Sequence, residues 1–266
     1  MKDTIFYDAV NCINCFACMA ACSTENRLRQ KRQGKDLIQI LNEEESDSFY
    51  LKPVTTQKGS YPDAVTVVGF KHCQHCEKAP CLDNCPSKAI ERRPGGQVVI
   101  NDDACTGCRT CVDVCPFDVP QYNPARNKVS KCIGCFDRVE NGLKPACVNA
   151  CPTGALISGP REEILKKARE RKTHYEKRLN KPVVLYGAES ESHYVGKLGW
   201  ITLAPAAYAE EYLLPDSPEK QSMALRSFVR SSSGWGMGLV ACAAAVHSLY
   251  WLKKRREKIA DKEVNS

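Results

Sequence analysis

The spacing of cysteine constrains this chain more than any other feature. Sixteen of its seventeen cysteines fall into four runs. These are Cys12-x2-Cys15-x2-Cys18-x3-Cys22, Cys73-x2-Cys76-x4-Cys81-x3-Cys85, Cys105-x2-Cys108-x2-Cys111-x3-Cys115 and Cys132-x2-Cys135-x11-Cys147-x3-Cys151. Every run has four members and closes on x3-Cys. Proline follows Cys85, Cys115 and Cys151, whereas Ser23 follows Cys22. Dense disulfide frameworks belong to short secreted domains. The opening MKDTIFYDAV has no apolar signal segment, so disulfides are not the expected use of these thiols.

Geometry favours an inorganic cube. A loop with two residues between cysteines wraps such a centre and aims three thiolates at three corners, leaving the fourth corner to another part of the chain. The third run matches the iron–sulfur pattern C-x2-C-x2-C-x3-C-P outright, and the others are variants with a stretched loop or no proline. Where two such clusters share a fold, the fourth cysteine of a run ligates the neighbouring cluster, so clusters are expected in pairs. An x3 segment wound as one helical turn would set its two cysteines about 6 Å apart along the axis. The prolines fix φ and steer the chain away from the centre, so the exit after Cys22 must differ. Zinc also uses Cys-x2-Cys pairs, but a structural zinc takes four ligands as two pairs. A third cysteine close to each pair and a fourth after x3 argue for four [4Fe–4S] clusters instead. No βαβ pattern surrounds the pairs to suggest a redox dithiol.

The formal charge is +7, from 38 basic and 31 acidic side chains. An oxidised [4Fe–4S] cluster with its four thiolates carries about −2, so four clusters would nearly cancel the surplus. Nucleic acid is therefore not an expected partner, and no aromatic-interleaved basic module suggests one. The stretch 161–181 reads as a charged helix, with Glu162 and Glu163 at its start and basic residues towards its end, as the helix dipole prefers. AVTVVGF and GQVVIND read as strands, and PSKAIERR and PTGALI as brief turns or helices. Glu43, Glu44 and Glu45 read as a solvated acidic face.

In the segments Cys12 to Cys22, HCQHCEKAPCLDNCP, DACTGCRTCVDVCPFDVPQYN and KCIGC followed by ACVNACPTGAL, the sequence resembles the four-cluster ferredoxin (beta) subunits of molybdopterin oxidoreductases. That family includes formate dehydrogenases, dimethyl sulfoxide reductases and polysulfide reductases. Beyond the cysteine runs, KPVVLYGAESESHYVGKLGWITLAP and YLLPDSP, followed by a hydrophobic run, resemble the membrane-anchored iron–sulfur subunit of respiratory formate dehydrogenase. The resemblance implies a nested pairing of the runs. Cluster 1 would take Cys12, Cys15, Cys18 and Cys151, and cluster 4 would take Cys132, Cys135, Cys147 and Cys22. Cluster 2 would take Cys73, Cys76, Cys81 and Cys115, and cluster 3 would take Cys105, Cys108, Cys111 and Cys85.

The expected fold class is α+β. A duplicated ferredoxin-like domain would hold four [4Fe–4S] clusters over residues 1–160, followed by the charged helix and a connecting extension over 161–227. A single transmembrane helix is expected over 228–252 and a basic cytoplasmic tail over 253–266. Residues 231–252 carry no formally charged side chain, and about 20 apolar residues suffice to cross a bilayer. Trp235 and Trp251 stand where aromatic belts would lie, Gly234 and Gly238 suit close packing on another helix, and Cys242 reads as a small packing residue. Lys253, Lys254, Arg255 and Arg256 follow the span, which by the positive-inside rule puts the C-terminus in the cytoplasm and the clusters on the periplasmic face. The cluster domain would then leave the cytoplasm with a signal-bearing catalytic partner, as the resemblance implies.

No P-loop, dinucleotide fingerprint or nucleophile–base grouping is present, so no catalytic residue and no small-molecule substrate is expected. The resemblance implies an electron-transfer subunit working between a molybdopterin (molybdenum or tungsten) catalytic subunit, formate dehydrogenase foremost, and a membrane cytochrome b or other quinone-reactive subunit. The alternatives are the same wire in a polysulfide or sulfoxide reductase or a hydrogenase, and a freestanding polyferredoxin carrier.

Overall fold

Residues 3–8 (DTIFYD) form strand β1, Asp3–Asp8, which is buried from Thr4 onward. Its β-branched and aromatic side chains suit a strand covered on both faces. In the computed structural model, which describes residues 3–31, 50–212 and 215, β1 lies inside a mixed sheet of order β8-β1-β10-β9. Strand β8, Leu156–Pro160, runs antiparallel to it, and β10, Trp200–Pro205, runs parallel. Strand β9, Val183–Tyr186, pairs antiparallel with β10. Phe6 stands opposite both Ile157 and Ile201.

The two faces of this sheet bury different things, because side chains alternate along a strand. On one face Phe6, Ile201 and Leu203 pack with Ile164, Leu165 and Ala168. Those three belong to α6, Arg161–Arg178, the helix expected from the charged stretch. Burying each such aliphatic side chain contributes about 1.5–3 kcal/mol, which lets so highly charged a helix dock. The other face carries Ile5, Tyr7, Trp200 and Ala204, and these pack with Cys18, Cys22 and Cys147.

The remaining elements form small units around the cysteines. Helix α1, Ala17–Lys31, holds Cys18 and Cys22 and runs on through Ser23. That is the different exit expected where proline is missing. Strands β2, Lys52–Lys58, and β3, Val65–Lys71, make a hairpin. The second and third runs repeat one pattern. Helix α2, Pro80–Asp83, leads to the hairpin of β4, Ile90–Arg92, with β5, Val98–Ile100. Helix α3, Thr110–Asp113, leads to the hairpin of β6, Gln121–Asn123, with β7, Lys128–Ser130. Helices α4, Phe136–Glu140, and α5, Ala146–Asn149, bracket the long gap in the fourth run.

Two local expectations are corrected. PSKAIERR ends in strand β4 and PTGALI runs into strand β8. Their residues tolerate helix, but the Pro94–Gly96 turn folds the first against Val98–Ile100, and β1 offers the second an open edge. Pairing with a neighbour overrides local propensity.

The chain divides into two units, Met1–Glu219 and Lys220–Ser266, and every described residue lies in the first. The expected transmembrane helix at 228–252, the tail at 253–266 and the acidic run at 43–45 lie outside the described residues. Among the described residues no helix is long and apolar enough to cross a membrane.

Candidate metal centre

All four Cys-x2-Cys loops turn in the same way. The second intervening residue has positive φ in each: Asn14 at 54°, His75 at 47°, Gly107 at 72° and Gly134 at 63°. This left-handed turn brings backbone N–H groups round towards sulfur. The His75 amide donates to Cys73 Sγ at 3.5 Å and the Gly134 amide to Cys132 Sγ at 3.3 Å. The Leu156 amide does the same for Cys151 Sγ at 3.4 Å. Such bonds favour the charged thiolate. Short helices then carry the later members of each run: Cys81 on α2, Cys111 on α3 and Cys147 on α5.

The fold brings thiols from different runs near one another. Cys18 lies within electrostatic reach of Cys12, Cys15 and Cys151. Cys147 is close to Cys22, Cys132 and Cys135, Cys76 to Cys73, Cys81 and Cys115, and Cys111 to Cys85, Cys105 and Cys108. Two of these sets line cavities of their own. Cys73, Cys76, Cys81 and Cys115 surround one, and Cys22, Cys132, Cys135 and Cys147 surround the other.

The donor set fits an iron–sulfur cube better than a single ion. Among the described residues no group of three or more His, Cys, Asp or Glu side chains is placed to hold one metal ion. Zinc, with bonds of about 2.3 Å to sulfur, would draw its four thiolates to within roughly 4 Å of each other. A cube carries each thiolate on a separate iron and keeps the sulfurs apart. The cavity walls also offer unpaired donors. Trp200 Nε1 and His75 Nε2 are buried without a hydrogen-bond partner among the described residues, and both residues line the Cys22–Cys132–Cys135–Cys147 cavity. His75 Nδ1 accepts the Val98 amide at 3.0 Å, so its proton sits on Nε2. Buried donors are expected to be satisfied, and the sulfurs of a cluster would satisfy these two.

Burial sets the electrostatics of the free thiols. It pushes Cys18 up to about 11 and Cys22, Cys81 and Cys111 up to about 12. Cys76, Cys132 and Cys147 are held well above the usual thiol range for the same reason. Ionising them requires a strong local positive charge, which iron supplies. Cys73 departs in the opposite direction. Burial pushes its thiol up, but the Lys131 ammonium and the His75 backbone amide, which donates to the sulfur at 3.5 Å, act against burial, and the thiol comes down to about 5.

The sets also have an order. Cys147 reaches Cys18, Cys132 reaches Cys73, and Cys81 reaches Cys111. The sequence of neighbours is therefore the Cys12 set, the Cys132 set, the Cys73 set and the Cys105 set. Cys15 at one end and Cys108 at the other are exposed. Sequence reasoning missed the left-handed loop positions, although Asn, Gly and Gly at the same place in three loops were a signal. It also missed His75 and Lys131, whose roles depend on contacts more than twenty residues away along the chain.

Comparison with known proteins agrees with this chemistry. Residues 66–161 match the family model described as a 4Fe-4S dicluster domain. The protein is 48% identical over 95 residues to the B subunit of anaerobic dimethyl sulfoxide reductase from Escherichia coli (strain K12), covering 36% of this protein and 46% of that one. It is 44% identical over 102 residues to "Perchlorate reductase subunit beta" of Dechloromonas aromatica (strain RCB), 38% of this protein and 31% of the relative. It is 45% identical over 100 residues to "Formate dehydrogenase, nitrate-inducible, iron-sulfur subunit" of Escherichia coli (strain K12), 37% and 34% respectively. The matches thus span less than half the length of these relatives. The protein is therefore similar, over the part matched, to iron–sulfur subunits of oxidoreductases, and residues 66–161, of mixed α and β content, resemble a 4Fe-4S dicluster domain.

Proposed function

We propose that this chain is the electron-relay subunit of a membrane-bound oxidoreductase, linking a molybdopterin catalytic subunit to a quinone-reactive membrane subunit through four [4Fe–4S] clusters. The observation that supports the reading best is the succession of thiols near one another from run to run, with Cys15 and Cys108 the exposed ones among the described cysteines. Each cube, when bound, supplies one-electron redox chemistry. The protein's own residues hold, bury and order the centres. Cys12, Cys15, Cys18 and Cys151 would hold cluster 1, Cys132, Cys135, Cys147 and Cys22 cluster 4, Cys73, Cys76, Cys81 and Cys115 cluster 2, and Cys105, Cys108, Cys111 and Cys85 cluster 3. The count of four and the duplicated ferredoxin-like arrangement are supported by the grouping of thiols and by the repeated helix–hairpin units after Cys81 and Cys111.

The anchor at 228–252, the cytoplasmic tail and the periplasmic face for the clusters belong to this proposal and rest on the hydrophobic run and the basic residues after it. Digestion of the cluster domain by protease in inside-out vesicles would sink that topology. The preferred partner is a formate dehydrogenase, supported by the sequence of 181–218. A dimethyl sulfoxide reductase is the second reading, favoured by the 48% identity to the B subunit of such an enzyme. The test is to purify the complex from membranes through this protein and measure iron, zinc, and molybdenum or tungsten. Reduction of its paramagnetic centres by formate and their reoxidation by dimethyl sulfoxide are then followed. About sixteen irons with a formate response supports the first reading, since four cubes hold four irons each. The same iron with reoxidation by the sulfoxide alone supports the second, and zinc in place of iron overturns both.

A further inference from the structure

Lys131 is 3% exposed, and among the described residues no carboxylate forms an ion pair with it. A buried ammonium without a counter-charge is costly. What surrounds its Nζ is one sulfur and two carbonyls: Cys73 Sγ at 3.5 Å, Cys132 O at 3.2 Å, and Val98 O. An ammonium has three N–H donors and no acceptor, whereas a neutral amine would turn its lone pair towards one of these groups. Three acceptors therefore match the charged form. The cysteines that act on the Lys131 charge are Cys73, Cys81 and Cys132. The first two belong to one inner set and the third to the other. Lys131 also lines the cavity walled by Cys73, Cys76, Cys81 and Cys115.

On the basis of the relay reading above, we propose that Lys131 is a positioning cation between the two inner centres, holding the reduction potential of the Cys73–Cys76–Cys81–Cys115 centre above the value its buried site would otherwise give. Reduction adds one negative charge to a centre. A cation within hydrogen-bond distance of a ligating sulfur stabilises the reduced form more than the oxidised form, and the water-poor interior weakens the interaction little. The effect is largest on the centre whose sulfur Lys131 touches and smaller on the one held by Cys132. It is least at the exposed ends.

The test is a redox titration of the assembled complex followed by EPR, for the unaltered protein and for Lys131→Met and Lys131→Gln, with Lys166→Met on the exposed face of α6 as control. Lys131→Met keeps the length of the side chain and removes the charge, and Lys131→Gln keeps a hydrogen-bond donor. The expected result is unchanged iron content, with the potential of one inner centre shifted down in both variants and a smaller shift in the other inner centre. Lys166→Met should leave all four where they are. Full iron with no shift, or an equal shift of all centres, overturns the proposal. Loss of the same centre in both variants also overturns it, by making Lys131 an assembly residue. Too little iron for four cubes in the unaltered complex sinks the relay reading instead.

Discussion

Gly107 and Gly154 have nearly the same backbone, at φ of +72° and +64°, but different surroundings. A methyl group on Gly107 would stand 2.2 Å from the Asn127 carbonyl oxygen, whereas one on Gly154 would meet nothing within 4 Å. The left-handed conformation alone costs an ordinary residue about 1–2 kcal/mol. Gly154→Ala should cost about that much. Gly107→Ala should cost more and should deplete iron from the Cys105 loop, because the clash is with backbone that has no free end to move. Melting temperature and iron content of the two variants check the difference. Asp8 gives a second case. It is fully buried, its Oδ1 accepts the amides of Val10 and Asn11, and its Oδ2 accepts Arg171 and the Tyr175 hydroxyl at 3.0 and 2.9 Å. These bonds fix the entry to the Cys12 loop. Arg171→Ala removes a charge-assisted bond worth about 2 kcal/mol, and denaturant unfolding should show that loss. At this scale the cysteines were legible because iron restricts which residue can stand there. Lys131 was not, since two of the groups around its Nζ, Cys73 Sγ and Val98 O, come from parts of the chain distant in sequence.

At the scale of elements, α1 carries Cys18 and Cys22 one helical turn apart, facing different neighbours. The nested pairing proposed above groups Cys18 with Cys151 and Cys22 with Cys147. Cys12→Ser and Cys151→Ser should therefore weaken the same EPR signal although 139 positions separate them in sequence (151 − 12). Cys22→Ser and Cys132→Ser should weaken a different one. If the signals lost follow the runs in sequence order instead, the nested pairing is wrong. Strands β3 and β5 were legible because Val65–Val68 and Val98–Ile100 are β-branched runs bounded by turns. Helix α6 was legible from its charge order. Strands β4 and β8 were not, because Ala89–Arg93 and Thr153–Leu156 have no strong preference of their own, and partners distant in sequence decide their state.

For the whole molecule, charge counts the clusters. The apoprotein carries +7, and each loaded cube brings about −2. Four cubes leave the loaded protein near −1, while two would leave it near +3. Isoelectric focusing of loaded and metal-stripped protein should show the loaded form moving from basic to slightly acidic, and a loaded form that stays clearly basic would rule out four cubes. The four cysteine runs were readable from their spacing, but the order of the thiol sets was not, because order depends on which sets become neighbours in three dimensions. The central place of β1 has a further consequence, for biosynthesis. This strand is made before both of its neighbours, β8 and β10, and β10 begins only at Trp200. At 5–20 residues per second the N-terminus waits roughly ten to forty seconds for its neighbour. The inner runs, from Cys73 to Cys115, can close while translation continues. The other two sets stay open until Cys147 and Cys151 have been made, so maturation proceeds along the file from the Cys105 end towards the Cys12 end.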